Sequence, residues 1–264
     1  MSDAVALTVE NCIATLTLDV PKQTNILTPS IATAMRDHLD DLEQQPDIRC
    51  VVIEGSEDTF CVGGDVEQLK ANLDSGKSSH SHIAELEQGA NEMMAKLVAC
   101  SYPTVAKVAG PAVGAGANLA IGCDIALASE STSIGFGFNR IGLSVDTGTS
   151  YLLPRLVGMN KAKELVFTGE ILGAREATEL GLFNHVYPDD EFESAVAELV
   201  GRLANGPTVA LRQSKQLLDD GFEKSFQQAL HDEAVAQSVA FESDDHCEGL
   251  EAFLENREPD FEGE

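Results

Sequence analysis

Two glycine-rich stretches, residues 59–65 (TFCVGGD) and 110–124 (GPAVGAGANLAIGCD), decide how this chain is interpreted. Each follows an apolar segment that is typical of a strand, residues 50–53 and 105–108 respectively, and leads toward a helix-compatible segment. Glycine allows the backbone to approach a ligand closely and to make turns that a Cβ would forbid. Backbone N–H groups at such turns can donate to a negatively charged oxygen. The two turns are therefore candidates for the two halves of an oxyanion hole.

The segments around these stretches predict an alternation of strands and helices. Residues 5–18 (VALTVENCIATLTL) alternate between apolar and polar positions around a break at Glu10 and Asn11, which predicts a β-hairpin. Pro29 is a favourable first residue for a helix that we expect to end near Gln44. Strand, turn and helix then recur along the chain. This order is typical of a layered α/β domain with crossover connections.

Two later regions are expected to depart from this pattern. Residues 73–82 (LDSGKSSHSH) are polar and predict a mobile loop, in which His80 and His82 are expected to be solvated rather than to bind a metal. From about Phe192 onward the pattern is nearly all helical. Helices rich in Ala, Leu and Val at the end of a core commonly pack on a neighbouring subunit, so we expect a homo-oligomer.

The charge of the chain disfavours several classes of partner. Its 264 residues include 44 acidic and 17 basic side chains, which gives a formal net charge of −27. Binding to nucleic acid or to an anionic membrane needs Lys and Arg, so neither is expected as a partner. The acids are spread through the chain rather than gathered in a tail. Such a surface stays soluble at very high salt, where self-repulsion is screened, and we therefore expect a halophilic source.

Other features of the sequence predict a cytoplasmic protein without a resident metal or cofactor. No apolar run approaches the roughly eighteen residues that span a bilayer, and no signal peptide is expected. The six cysteines are widely spread and form no CxxC pair, which predicts mostly buried free thiols in a reducing compartment. No cluster of Cys and His has metal-ligand spacing. Gly114 and Gly116 lack the third glycine of a dinucleotide fingerprint, so no nicotinamide or flavin is expected.

Two polar residues are candidates for chemistry. Asp146 lies in a turn of small residues before an apolar helix, where it either caps that helix or, with a pKa raised by apolar surroundings, moves protons. Asn118 lies one turn into the helix that begins near Gly114, where it either bonds a neighbouring strand or faces a ligand. Sequence spacing does not decide between these alternatives.

Five segments, in order and over nearly the whole chain, resemble the crotonase superfamily, which is the enoyl-CoA hydratase/isomerase family. Residues 20–27 (VPKQTNIL) resemble its Arg-Pro-x-x-x-Asn-Ala-Leu motif without the Arg, and residues 60–65 (FCVGGD) resemble its FxAGxD loop. Residues 110–124 resemble its second glycine segment, and residues 169–186 resemble its TGxxxxAxxAxxxGLVxxV motif. The last segment resembles the family's C-terminal ending at Phe253, Arg257, Pro259 and Phe261.

The resemblance implies a fold, an assembly and a substrate class. It implies an α/β fold in which residues 1–200 form a spiral of ββα units and residues 201–264 form a C-terminal helical trimerisation region. Trimers in this family often pair into hexamers. The resemblance also implies an acyl-CoA thioester as substrate, so that coenzyme A is part of the substrate rather than a cofactor.

The resemblance further implies where the substrate is held. By position, the oxyanion-hole amides fall on Gly64 and Ala115, and the coenzyme A adenine lies near Asp65 and Val66. Lys107 and Lys22 are candidates for its phosphates by location only, and a solvated surface role is favoured for each. We expect the acyl pocket to be lined by three apolar residues that core packing explains equally well, namely Phe138, Leu143 and Val145.

The catalytic residues implied by the resemblance favour an isomerase. The family's hydratases use two glutamates to hold and ionise a water, but the matching positions here are Asn118 and Phe138. Residues 114–120 and 141–158 resemble most closely the oxepin-forming isomerases of phenylacetate breakdown, which rely on one aspartate at the position of Asp146. We therefore expect an enzyme that converts 3-enoyl-CoA, or a related ring substrate, to 2-enoyl-CoA.

Three other functions are considered as alternatives to the isomerase. The first is an enoyl-CoA hydratase, in which Asn118 would orient a water. The second is a non-catalytic scaffold that binds coenzyme A or RNA, and the net charge argues against RNA. The third is an aryl-CoA dehalogenase, which is disfavoured because such enzymes use a tryptophan and a histidine near the ring. This chain contains no Trp, and Asn91 stands about where the histidine would be.

Overall fold

The fold is built around one six-stranded sheet and two smaller ones, as shown by a computed structural model that describes residues 4–19, 25–56 and 58–264. The strands are β1 (Val5–Glu10), β2 (Ile13–Leu18), β3 (Ile26–Leu27), β4 (Cys50–Gly55), β5 (Gly63–Gly64), β6 (Thr104–Val108), β7 (Pro111–Val113), β8 (Ile125–Ser129), β9 (Ser133–Gly135), β10 (Ile171–Gly173) and β11 (His185–Tyr187). The large sheet has the order β1-β2-β4-β6-β8-β11, and all its pairs are parallel except β1 with β2.

Helices follow the strands in a regular order. They are α1 (Pro29–Leu42), α2 (Val66–Asp74), α3 (Ser79–Leu86), α4 (Glu92–Val98), α5 (Ala115–Ile121), α6 (Thr149–Val157), α7 (Met159–Thr168), α8 (Ala174–Glu179), α9 (Phe192–Ala204), α10 (Thr208–Gly221), α11 (Phe226–Phe241) and α12 (Asp244–Glu255). A π-helical turn at Glu87–Asn91 joins α3 to α4, and a 3₁₀ turn spans Gly137–Ile141. No helix of the described residues is both long enough and apolar enough to cross a bilayer.

The strand order confirms the expected spiral of ββα units. Strands β4, β6 and β8 lie in the large sheet, whereas the strand that follows each of them, β5, β7 or β9, lies in a small sheet. One small sheet has the order β10-β9-β7 and the other pairs β3 with β5. Each turn of the chain thus adds one strand to the large sheet and one to a small sheet. As a result, the glycine-rich ends of successive turns are stacked on one another.

The N-terminal predictions agree with the structure where it describes them. The hairpin has Val5 opposite Leu18, and its two-residue turn places Asn11 and Cys12 in the left-handed region, as hairpins of this length favour. Helix α1 begins at Pro29, as predicted, and ends two residues before the expected end. Residues 20–24, which carry the first half of the first family motif and Lys22, lie outside the described residues.

The large sheet is buried on both faces, because alternate residues of its strands contact different layers. On one face, Val51 and Ile53 belong to the main core. On the other face, Cys50, Val52, Val105 and Leu127 pack against α9 through Phe192, Val196, Val200 and Ala204. The division predicted at residue 200 falls inside this core-packed helix, and the helices that follow it begin with α10. As a domain boundary, the division stays a prediction.

The polar segment 73–82 is mostly helical, so the prediction of a loop was wrong there. Its first two residues end α2, and its last four begin α3. The reason is local, because the Ser78 hydroxyl accepts a hydrogen bond from the Ser81 amide at 3.2 Å and so caps the new helix. Only residues 75–78 connect the two helices. His82 is therefore held on a helix.

Candidate active site

The two glycine-rich stretches are in direct backbone contact. A Cβ at Gly63 would lie 2.7 Å from the carbonyl oxygen of Val113 and 3.3 Å from the amide nitrogen of Ala115. A Cβ at Gly116 would lie 2.0 Å from the carbonyl oxygen of Cys61. Since real side chains do not approach so closely, glycine at these positions is what allows β5 to lie against the start of α5. The sequence correctly predicted that the two turns meet.

The predicted oxyanion-hole residues lie on the two sides of this contact. Gly64 ends β5 and is exposed, and a side chain there would extend into open space. Ala115 is the first residue of α5, where the helix itself provides no acceptor for the N–H. Gly114 precedes it with φ +58° and has no side chain to cap the helix. That the amides of Gly64 and Ala115 point at one oxygen stays a prediction.

The carboxyl group of Asp146 does not cap the helix that follows it. Helix α6 begins at Thr149, its N-cap residue is Gly148, and no side chain bonds the free amides of its first turn. The capping alternative for the Asp146 side chain is therefore wrong. The backbone carbonyl of Asp146 instead accepts a bond from the amide of Thr149 at 3.0 Å. The half-buried carboxyl group is left for another role.

Asn118 connects the oxyanion-hole helix to the Asp146 turn. Its fully buried side chain donates from Nδ2 to the carbonyl oxygen of Asp146 at 3.1 Å and to Oγ1 of Thr147 at 2.6 Å. Its Oδ1 accepts from the hydroxyl of Thr149 at 2.9 Å. The alternative of a bond to a neighbouring strand is therefore wrong, whereas a contact of Asn118 with a ligand stays a prediction. Both N–H groups of its amide are committed to the turn, which suits a positioning role.

The surroundings of Asp146 raise its pKa above the ordinary value for Asp. Burial is the largest cause, since it disfavours the charged carboxylate. Two smaller effects oppose it, namely the hydrogen bond that the Thr147 hydroxyl donates to Oδ1 at 3.0 Å and the positive charge of His82. A carboxyl group with a raised pKa is better matched to accepting and returning a proton near neutral pH.

Sequence reasoning missed His82 and Thr147 as neighbours of Asp146. His82 belongs to the segment predicted as a solvated loop, but it is half-buried on α3. Thr147 follows Asp146 directly and is 3 % exposed with φ +45°. The only signal for Thr147 was its adjacency to Asp146. No pattern in the sequence connects His82 to this turn.

The predicted acyl-pocket residues lie in different environments. Phe138 is buried in the 3₁₀ turn, and its Cζ lies 3.9 Å from where a Cβ of Gly114 would be, so it borders the start of α5. Val145 is half-buried and packs against the main core, whereas Leu143 is 40 % exposed. The structure therefore brings Phe138 to the oxyanion-hole turn. Contact of all three with an acyl group stays a prediction.

The predicted coenzyme A contacts are only partly consistent with the structure. Asp65 caps α2 by accepting a bond from the Gln68 amide at 2.8 Å, and Val66 is exposed beside it. Their predicted contact with the adenine is not tested by these positions. Lys107 is bonded to Glu54 at 2.9 Å and to Glu193 at 2.8 Å. Its ammonium group is paired with two carboxylates there, and its contact with the phosphates stays a prediction.

In the part of the chain that the structure describes, no group of three or more His, Cys, Asp or Glu side chains is arranged to hold a metal ion. The site instead combines backbone amides, one half-buried carboxyl group and an apolar wall. This combination suits reactions that place negative charge on a carbonyl oxygen and move a proton beside it.

Comparison with known proteins identifies the family. Residues 8–264 match the model of the enoyl-CoA hydratase/isomerase family. The chain is 33 % identical to YngF of Bacillus subtilis (strain 168), whose name assigns it to the enoyl-CoA hydratases/isomerases, and 31 % identical to the 1,2-epoxyphenylacetyl-CoA isomerase of Escherichia coli (strain K12). Each match covers 100 % of both chains. The protein belongs to the enoyl-CoA hydratase/isomerase family.

A solved structure supports the same fold. The crystal structure of an enoyl-CoA hydratase from Bacillus anthracis superimposes with a TM-score of 0.91 at 26 % identity, over 99 % of this chain and 100 % of that one. The protein is therefore an enzyme of the crotonase superfamily with the crotonase fold. This confirms the family, fold and enzyme class expected from the sequence.

Proposed function

We propose that this enzyme isomerises 3-enoyl-CoA thioesters to 2-enoyl-CoA thioesters, with Asp146 as the only acid/base. The Asp146 carboxylate removes a proton from C2, and the electron pair moves into a dienolate whose charge rests on the thioester oxygen. The amides of Gly64 and Ala115 stabilise that oxygen, and loss of one such donor costs about 10²–10³ in rate. Asp146 then returns the proton to C4, which leaves the double bond between C2 and C3.

The observation that carries the proposal is the bonding of Asn118. Addition of water by a hydratase needs groups that hold and ionise a water. The residues that match the two glutamates of the family's hydratases are Asn118 and Phe138 in this chain. The Asn118 amide is committed to the Asp146 turn, and Phe138 has no group that accepts a proton. Asp146, by contrast, is half-buried and is tied through Asn118 to the helix that begins at Ala115. The name of the Escherichia coli relative, 1,2-epoxyphenylacetyl-CoA isomerase, supports an isomerase of a coenzyme A thioester rather than a hydratase.

The alternative of a hydratase is supported by the names of other relatives. The Bacillus anthracis structure is one example, and a relative 34 % identical from Thermus thermophilus is also named for enoyl-CoA hydratase. Comparing two substrates separates the two activities. We expect the wild-type enzyme to isomerise 3-hexenoyl-CoA faster than it hydrates crotonyl-CoA. Faster hydration would overturn the assignment in favour of a hydratase.

The test of the acid/base is Asp146→Asn. We expect this substitution to lower kcat for 3-hexenoyl-CoA isomerisation by about 10²–10⁴, which is the usual range for a lost general acid/base. Asp260→Asn is the matched control, because Asp260 is exposed in the C-terminal tail and should leave the rate unchanged. Isomerisation that is as fast in Asp146→Asn as in wild type would reject Asp146 as the base.

The proposal also sets the direction of the pH dependence. The base must be deprotonated, so kcat/KM should fall as the pH drops through the pKa of Asp146. Because burial raises that pKa, the acid limb should lie above the ordinary pKa of about 3.9 for Asp.

We further propose that the C-terminal helices associate with other copies of the chain in solution. Six large apolar side chains on or next to α10, α11 and α12 are between 66 % and 81 % exposed, namely Leu218, Phe222, Phe226, Phe241, Phe253 and Leu254. Exposed apolar surface of this extent is typical of an interface. Sedimentation equilibrium should give a trimer or hexamer, and a monomer would reject the proposal.

A further inference from the structure

Thr147 combines an unusual backbone with a defined pair of side-chain bonds. It is β-branched, yet its φ of +45° lies in the left-handed region, which such residues rarely adopt. It is also only 3 % exposed. Backbone strain of this kind persists where the surrounding contacts hold it in place, and it often occurs at functional sites. The hydroxyl group of Thr147 takes part in two side-chain hydrogen bonds, with Asn118 and with Asp146.

The direction of each bond around Thr147 is fixed by its neighbours. The carbonyl oxygen of Asp146 can only accept, so the group of Asn118 that lies 3.1 Å from it must be the amide NH₂. The same NH₂ donates to Oγ1 of Thr147 at 2.6 Å. Oγ1 therefore accepts there, and its single proton is donated to Oδ1 of Asp146 at 3.0 Å. The chain of donors runs from Asn118 through Thr147 to Asp146.

The two oxygens of the Asp146 carboxyl group are thereby made different. Oδ1 accepts the Thr147 hydroxyl. Oδ2 has no hydrogen-bond partner among residues 4–19, 25–56 and 58–264. We infer that Thr147 is a positioning residue, whose hydroxyl, oriented by Asn118, holds Oδ1 of Asp146 and leaves Oδ2 as the oxygen that moves the substrate proton. This inference rests on the proposed function, in which Asp146 is the base.

The bond from Thr147 also favours the charged form of the carboxyl group. Burial raises the pKa of Asp146, while the Thr147 hydroxyl and the charge of His82 on α3 lower it. His82 is the titratable group that faces Asp146 in the described part of the chain. Removal of the Thr147 hydroxyl should therefore raise the pKa of Asp146. The acid limb of kcat/KM should then move to higher pH.

The test is a titration of the Asp146 carboxyl carbon by ¹³C NMR, with the Asp146 signal identified by its absence in Asp146→Asn. We expect Thr147→Val to raise the pKa of Asp146 by about one unit, because a hydrogen bond to a charged group is lost. Thr147→Gly, which accepts a positive φ, should give a shift in the same direction if the valine variant does not fold. Thr147→Ser keeps the hydroxyl, so the pKa of Asp146 in this variant should equal that of wild type.

Two controls separate this role from a merely structural one. Thr132→Val removes another buried threonine hydroxyl, which donates to the Val108 carbonyl at 2.7 Å, and it should leave the Asp146 titration unchanged. Repeating the Thr147 series in a His82→Gln background removes the other charge acting on the carboxyl group, and the shift should persist. A folded Thr147→Val or Thr147→Gly in which Asp146 titrates as in wild type would overturn the inference.

Kinetics complete the test and separate this inference from the proposed function. In Thr147→Val, the acid limb of kcat/KM for 3-hexenoyl-CoA should move by the same number of pH units as the Asp146 pKa measured by NMR. In Thr147→Ser, the acid limb should lie where it does in wild type. If Asp146→Asn is inactive and the pKa of Asp146 in Thr147→Val equals that of wild type, only the positioning role of Thr147 is refuted. A fully active Asp146→Asn would sink the proposed function, whereas the titration still reports whether Thr147 holds the carboxyl group.

Discussion

Replacement of Asn118 by Asp should destabilise the fold and impair catalysis together. The substitution keeps the shape of the side chain but turns the NH₂ group into an oxygen. The two bonds that Nδ2 donates, to the Asp146 carbonyl and to the Thr147 hydroxyl, are then lost. Each is worth about 1 kcal/mol net, and a buried carboxyl oxygen that faces the Asp146 carbonyl oxygen in place of a donor costs about 1–3 kcal/mol more. The Asp146 carbonyl itself keeps the bond from the Thr149 amide. We therefore expect Asn118→Asp to lower the free energy of unfolding by about 3–5 kcal/mol.

The same substitution should reduce isomerisation for an electrostatic reason. A second carboxyl group beside Asp146 disfavours the charged form of both, so the pKa of Asp146 should rise further and less of the base should be ionised at pH 7. The loss of kcat/KM should therefore be greater at pH 6 than at pH 8. Measurement of the rate at both pH values checks this direction.

Urea unfolding at fixed protein and salt concentration measures the stability effect, and Asn205→Asp is the matched control. Asn205 is exposed at the end of α9 and donates one bond to the Gly201 carbonyl at 2.8 Å. We expect its replacement to cost about 1 kcal/mol, from one lost bond and an acid at a helix C-terminus. If Asn118→Asp is no more destabilising than this control, the assignment of Asn118 as the anchor of the Asp146 turn is refuted.

Three further predictions address the rest of the molecule. Gly63→Ala should lower the free energy of unfolding by about 1–2 kcal/mol because of the left-handed φ of +84° alone, and it should reduce kcat by displacing the start of α5. Gly201 lies in open space inside α9, so Gly201→Ala should instead raise the free energy of unfolding by about 0.5–1 kcal/mol in the same urea assay. Because the net charge is −27 and salt screens the self-repulsion, the melting temperature should rise as the KCl concentration is raised toward molar values. A melting temperature that is independent of salt would contradict the expectation of a halophilic source. The exposed Cys247 should react first with a thiol reagent. Burial raises the pKa of Cys61 and of Cys100 to about 11, so these two thiols should react only on unfolding. Equal rates for all three thiols in the native protein would contradict the burial of Cys61 and Cys100.

The sequence by itself determined the layered α/β class and the meeting of the two glycine-rich stretches. These follow from local patterns, namely the alternation of the hairpin, the apolar strands before each turn, and glycines such as Gly63 and Gly116 that permit close backbone approach. The family and its spiral of ββα units were implied by the resemblance of five segments to the crotonase superfamily. Even there, the helix of segment 73–82 was missed, because the cap provided by Ser78 outweighed a polar composition that favours a loop.

Only the tertiary structure decided which groups the polar residues of the site contact. The segment around Asp146 by itself favoured a helix cap over a proton carrier, and Asn118 was compatible with a strand bond and with a ligand contact. Their roles depend on α5 and the Asp146 turn coming together from distant parts of the chain, so that the amide of Asn118 reaches Thr147 and the charge of His82 reaches Asp146. Burial and the direction of a hydrogen bond are properties of that packing, and no local pattern in the sequence encodes them.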